Sequence, residues 1–131
     1  MRVAIDAAII QDGRILLVRK KQSWILPGGK PNPNESDLEC LCREVREELS
    51  GTQLELDEGK IKYYGDFEGI TPHTGDILTA KVYFANIKGE LHNYSAEISG
   101  YAWANDPREY NLSDITSKIV DSLAKDGYLK L

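Results

Sequence analysis

Three glutamates, Glu44, Glu47 and Glu48, stand at i, i+3 and i+4 of a segment with helical periodicity. At about 100° per residue the apolar members Leu38, Leu41, Cys42, Val45 and Leu49 fall in one sector, and the three acids cluster roughly 120° from it. Like charges at this spacing repel by roughly 0.2–0.5 kcal/mol per exposed pair, and no lysine is interleaved to compensate. A hard divalent cation such as Mg²⁺ would offset that repulsion, because it takes oxygens from a few carboxylates and leaves its other positions to water and substrate phosphates. The bland alternative is a solvated polar helix face. The flanking residues decide between the two.

Those acids need a helix, and Ser36-Asp37-Leu38-Glu39 supplies a capping box from which one should run to about Leu49, with Gly51 as the stop. Just ahead, the apolar run Trp24 to Leu26 ends at Pro27-Gly28-Gly29, and Pro31 and Pro33 keep the chain extended, a backbone suited to close approach. Val3 to Ile10 and Arg14 to Arg19, joined by Asp12-Gly13, read as an antiparallel hairpin. Ile61 to Phe67 and Ile77 to Ile87 read as two more strands around the turn-rich stretch 69–76, and Tyr101 to Ala104 as a short one. Ser113 opens a last helix with Ile115, Ile119, Val120 and Leu123 on one face. Strands and helices in this order do not alternate strictly, which argues for a mixed-sheet α/β or α+β fold over a doubly wound parallel sheet.

The 131 residues suit one domain spanning the chain, 1–131. With 41% hydrophobic and 28% charged residues the chain can bury a core and is not disordered. No apolar run approaches the roughly 20 residues of a membrane span, and Met1-Arg2-Val3 opens into a strand-like pattern instead of a signal peptide, so a cytoplasmic setting is expected. A net charge of −5 disfavours a stable complex with nucleic acid, and phosphates would need a cation as mediator. Cys40 and Cys42, two apart on a helix, are poorly placed for a disulfide, and with His73 and His92 they form no zinc spacing.

The spacing around the acids is specific. From Gly29, five residues precede Glu35, seven more precede Arg43, and then comes Arg43-Glu44-Val45-Arg46-Glu47-Glu48. This resembles the Nudix hydrolase signature, G-x5-E-x7-R-E-U-x-E-E-x-G-U with U bulky and apolar. Pro27-Gly28-Gly29-Lys30 is similar to the family's entry to that box, and Glu97 ahead of Trp103 resembles its late acidic loop and following strand. The pattern departs at the exit, where Ser50 stands in the glycine position and Gly51 in the apolar one.

The resemblance implies an α/β/α sandwich around a mixed sheet. It implies Mg²⁺ or Mn²⁺ held by Glu44, Glu47, Glu48 and the Gly28 carbonyl, with Glu97 as an additional ligand or the general base and Glu44, Glu48 and Glu97 as the catalytic set. Glu35 and Arg43 would form a structural ion pair. The implied reaction is attack of metal-activated water on a diphosphate joining a nucleoside to some group X, in a small nucleotide such as a nucleoside triphosphate or an ADP-ribose-like compound. A nucleotide-sensing module that keeps the fold without turnover is the alternative, and a homodimer is open to such a domain. Lys30 and the Arg19-Lys20-Lys21 cluster would contact phosphates, or else form a solvated charge run. Glu90, Asp106 and Glu109 are rivals to Glu97. Tyr63, Tyr64, Phe67, Tyr83 and Phe84 alternate as packing residues, any one of which could stack on a base, and Asn105 and Asn111 read as structural residues of turns. His73 and His92 are given no role.

Overall fold

The computed structural model describes residues 2–71, 74–92 and 94–131; His73 lies outside them. The chain begins with β1 (Arg2–Ala8), β2 (Ile10–Gln11) and β3 (Arg14–Lys20). Asp12 and Gly13 both take positive φ, at 52° and 76°, as the Asp-Gly turn requires. The expected hairpin is nevertheless short. Only Ile10 and Gln11 pair with β3, whereas β1 leaves for another sheet.

β1 runs parallel to β8 (Ile77–Phe84), from Arg2 opposite Leu78 to Ala8 opposite Phe84, and antiparallel to β5 (Gly28–Gly29). With β7 (Lys62–Ile70) on the far side of β8, these make a four-stranded sheet in the order β5-β1-β8-β7. A second sheet joins β10 (Ile98–Ala104), β3 and β2, with β4 (Ser23–Ile25) also on β3. β6 (Thr52–Leu54) and β9 (Ile87–Gly89) form a separate ribbon, because the expected strand Ile77 to Ile87 breaks at Ala85-Asn86 and resumes on a new partner.

Side-chain alternation then builds two cores. Ile5, Ala7, Ile9, Leu16 and Val18 point to one side and pack on Cys40, Leu41, Val45 and Leu49 of the first helix, α1 (Asp37–Glu48 and its C-terminal residue Leu49). Ala8, Ile15, Leu17, Ala80 and Val82 point to the other and pack on Ile115, Ile119, Val120 and Leu123 of α2 (Asp114–Lys125). Sheets sandwiched between two helices, with mixed strand directions, are the α/β/α arrangement that the resemblance implies. No helix of the described residues is long and apolar enough to cross a membrane.

Candidate functional site

α1 begins as its capping box requires: Ser36 accepts from the Glu39 N–H at 3.1 Å, and Glu39 accepts from the Ser36 N–H at 3.0 Å. Its buried face is rotated from the one drawn by hydrophobicity alone. Leu38 is 46% exposed, while Cys40 is fully buried and its thiol donates to the Gly29 carbonyl at 3.5 Å. The turn brings Glu44 and Glu48 inward against β5 and leaves Glu47 exposed, so the three carboxylates do not share one environment. The helix exit is set by Leu49, whose carbonyl accepts from both the N–H and the hydroxyl of Thr52, at 3.0 and 2.7 Å. Gly51 supplies positive φ one residue later than the family pattern has its glycine, where a Cβ would strike the Glu90 carbonyl.

The two glycines of β5 make room for the acids. A Cβ on Gly29 would lie 2.6 Å from the Glu44 carboxyl carbon, and one on Gly28 would collide with the Ile5 carbonyl and the Asp6 carboxylate. The Gly28 N–H donates to Glu48 Oε1 at 2.9 Å. Glu48 is only 3% exposed, and its Oε2 has no hydrogen-bond partner among the described residues. A buried carboxylate half satisfied in this way is costly to ionise. Burial pushes the Glu48 carboxyl up to about 8, against the opposing Gly28 N–H and reinforced by Glu44 and Asp6.

Arg43 ties the loop to the helix. Its Nε and Nη2 grip Glu35 in a two-point bond at 2.8 and 2.9 Å, Nη2 also reaches the Lys30 carbonyl at 2.9 Å, and Nη1 donates to Glu44 at 2.8 Å and Glu47 at 3.3 Å. Glu35 also accepts from the Asn32 N–H at 2.8 Å. The Arg43 bonds foremost hold the Glu35 carboxyl down at about 2. A depressed acid stabilises the fold above its unfolded value near 4.5, and that contribution is lost as pH falls through the folded one. Glu35→Gln is therefore expected to lower the melting temperature at neutral pH, and the gap to the parent should narrow as pH drops toward about 2. An unchanged melt with reduced turnover would move Glu35 into the catalytic set.

Beside β5 opens a cleft of about 300 Å³, lined at one end by Asp6, Lys20, Gly28, Gly29 and Lys30 and further in by apolar groups including Leu26, Leu78 and Ile115. Lys20 and Lys30, the lysines read as candidate phosphate contacts, both line the cleft. Arg19 points the other way along β3, is exposed, and is not among the lining residues. Lys20 Nζ pairs with Glu97 at 3.3 Å, which places Glu97 at the cleft's edge, just ahead of β10. Of its rivals, Asp106 caps the 3₁₀ turn Pro107–Glu109 by accepting from the Arg108 N–H, while Glu90 and Glu109 are exposed. Asn111 donates to the Gln22 carbonyl at 2.8 Å and Asn105 accepts from Arg14 at 3.0 Å, so both fasten loops. None of the five aromatics singled out lines the cleft; Tyr64, Phe67 and Phe84 pack in the α2 core, and Tyr83 donates to Asp37 at the start of α1.

As the side chains stand, no trio of His, Cys, Asp or Glu among the described residues converges on one point; Arg43 fills the gap between Glu44 and Glu47. The donor set nevertheless suits a hard cation. An orphaned buried carboxylate oxygen, two glycines that admit close backbone approach, and a cleft open to phosphates match an ion that needs one or two carboxylates and completes its shell with water and substrate.

A model of the NUDIX domain matches residues 1–115, from β1 to the start of α2. The chain belongs to the NUDIX family. Among solved Nudix structures, the MutT NUDIX hydrolase of Burkholderia pseudomallei superposes with a TM-score of 0.77 at 30% identity, over 92% of this chain and 95% of that one. The Escherichia coli ORF135 protein superposes with a TM-score of 0.69 at 26% identity, over 97% of this chain and 94% of that one. In sequence, 54 residues are 48% identical to the CTP pyrophosphohydrolase of Escherichia coli K12, a stretch that is 36% of this chain and 40% of that protein. Nudix hydrolases generally use a divalent metal and act on small nucleotides.

The residue that the Nudix motif did not point to is Asp6. It lies opposite Gly28 in the β1–β5 pairing, and its carboxylate makes no hydrogen bond or ion pair with the described residues. Burial foremost, then Glu44, pushes its carboxyl up to about 7, with Lys20 opposing. The signal was in the sequence: one acid inside the apolar run Val3 to Ile10, at the parity of Ala4 and Ala8, is a charge on a strand face that is otherwise apolar. For Asp6 and Glu48 the folded values lie above the unfolded ones, so their joint contribution to stability is whole below about pH 4 and lost as pH rises through 7 and 8. In EDTA the melting temperature should therefore fall between about pH 4 and pH 8, and saturating Mg²⁺ should flatten that fall by favouring the ionised carboxylates. A flat profile in EDTA would show that neither group is perturbed.

Proposed function

We propose that this Nudix protein is a Mg²⁺- or Mn²⁺-dependent pyrophosphohydrolase that cleaves the diphosphate of a nucleoside diphosphate linked to a group X, with nucleoside triphosphates as the leading class. The observation that carries the reading is Glu48, buried with one oxygen anchored on the Gly28 N–H and the other without a partner among the described residues, where Gly28 itself lines a cleft with two lysines. Glu48, Glu44 and the Gly28 carbonyl would hold the cation, with Glu47 and Glu97 joining them. When bound, the cation would acidify water and neutralise charge growing on phosphate oxygens.

The chain's own groups do the rest. The Gly28 N–H fixes the Glu48 rotamer, so the carboxylate needs no reordering when substrate arrives. Arg43 holds Glu44 and the Lys30 backbone in one frame, which keeps the loop registered against the helix. Lys20 and Lys30 would bind the phosphates, and the apolar part of the cleft would exclude water from the nucleoside. Glu97, released from Lys20, would take the proton of the attacking water.

A panel of nucleoside triphosphates, sugar nucleotides, ADP-ribose and dinucleoside polyphosphates, assayed with Mg²⁺, Mn²⁺ and EDTA, tests this. CTP leads the panel because of the stretch shared with the CTP pyrophosphohydrolase. Release of pyrophosphate and a nucleoside monophosphate, lost in EDTA, is expected. Tight binding without turnover of any compound would make the protein a nucleotide-sensing module instead.

A further inference from the structure

From the geometry we infer that Asp6 is a further carboxylate ligand for the divalent cation, reaching it from the sheet side of Gly28 while Glu48 reaches it from the helix side. The inference rests on the reading of the cleft as a cation-dependent diphosphate site. Directly opposed residues of an antiparallel pair project to the same face, and Gly28, having no side chain, leaves the space beside it to the Asp6 carboxylate. The backbone of that one residue separates Asp6 from Glu48, whose Oε1 sits on the Gly28 N–H.

Charge decides what Asp6 is for. Glu35 and Glu44 are both answered by Arg43, and Lys20 is engaged by Glu97. Among the described residues Asp6 makes no hydrogen bond or ion pair, with Lys20 as the positive charge that acts on it, and the buried Glu48 Oε2 has no hydrogen-bond partner. Ionised, these two carboxylates would oppose a polyphosphate in the cleft, and a cation between them and the phosphates would join Lys20 and Lys30 in reversing that sign. Asp6 is half-buried, faces the cleft and makes no hydrogen bond or ion pair among the described residues. Arg2, Ser23, Lys30, Thr71, Ser113 and Thr116 also line the cleft, and among the described residues none of them bonds to Asp6.

The test uses Mn²⁺ alone, without nucleotide, titrated into the parent protein, Asp6→Asn and Glu48→Gln, with free Mn²⁺ read by electron paramagnetic resonance and bound water by proton relaxation. Asp6→Asn should weaken Mn²⁺ binding by about tenfold or more, the scale reached even by residues that only hydrogen-bond to a ligand. It should also add one exchangeable water to the bound ion. Its melting temperature in EDTA should be no lower than the parent's, and Asp6→Ser gives the same reading should the amide fail to fold. If Glu48→Gln weakens Mn²⁺ and Asp6→Asn does not, the ligand assignment falls and the cation site stands. A loss of affinity with no water gained means that Asp6 acts through its charge alone, and overturns ligation. If the parent protein binds no Mn²⁺, the assignment and the reading beneath it both fall.

Discussion

Glu48→Gln is expected to cut turnover by about 10³-fold, equivalent to roughly 4 kcal/mol of transition-state stabilisation, while leaving the melting temperature in EDTA unchanged or raised. Both parts follow from its surroundings. The amide oxygen can still accept from the Gly28 N–H, so the anchoring bond at 2.9 Å survives. The amide nitrogen replaces an oxygen that already lacks a partner, so no satisfied group is orphaned. What is lost is the charge. Because burial holds the Glu48 carboxyl up at about 8, the cost of ionising it is already built into the fold, and the neutral amide avoids that cost above neutral pH. Excess Mn²⁺ should not rescue the variant, since an amide is a far poorer ligand for a hard cation. Glu47→Gln, at a position 60% exposed and tied only to Arg43 at 3.3 Å, should lose much less. Equal losses at the two positions, or near-parental turnover for Glu48→Gln, would remove Glu48 from the centre of the site.

That difference between Glu47 and Glu48 marks where sequence reasoning ran out. Spacing places three acids within one helical sector, but which of them is buried depends on what the helix meets, and β5 is a two-residue strand no periodicity announces. Hydrophobicity alone places Leu38, at the helix start, in the core; the rotation that puts Glu44 against Gly29 turns Leu38 to solvent and Cys40 inward instead. Losing the burial of one leucine costs about 1.5–3 kcal/mol, which four other buried side chains on the same helix outweigh. Local chemistry was legible: the capping box, the Asp-Gly turn and the Ser113 cap form as their residue types demand. Pairings between distant segments were not. Val3 to Ile10 carries one apolar pattern, yet its first seven-residue strand pairs with β8 and its end with β3, because sheet membership is settled by partners about 75 residues away, a matter of topology and not of pattern. Asp6 fell in that same run, and its meaning depends on lying opposite Gly28.

Glu97→Gln should lower kcat by about 10²-fold, the lower end for losing a positioned proton acceptor, with little change in melting temperature. The fold does not lean on Glu97. Its side chain is 69% exposed and its one ion pair, to Lys20 at 3.3 Å, is of the exposed kind worth about 0–1 kcal/mol. That pair also separates two roles. Lys20 lines the cleft, so Glu97 could matter merely by holding the lysine in place for phosphate, and then its removal would raise KM and spare kcat. A base that must leave Lys20 as phosphate takes the lysine over has the opposite signature: kcat falls and KM holds or improves, because Lys20 is freed for the substrate. Glu90→Gln and Glu109→Gln serve as controls, since exposed acids away from such features shift stability by no more than about 0.5 kcal/mol and have no proton to move. Steady-state kinetics of the three variants under saturating Mg²⁺ separate the cases. A KM effect alone makes Glu97 a positioning residue; a loss at Glu90 or Glu109 shifts the acidic loop's alignment; and if all three are silent the proton must go to the helix, where Glu44, half-buried against Gly29, is the next candidate.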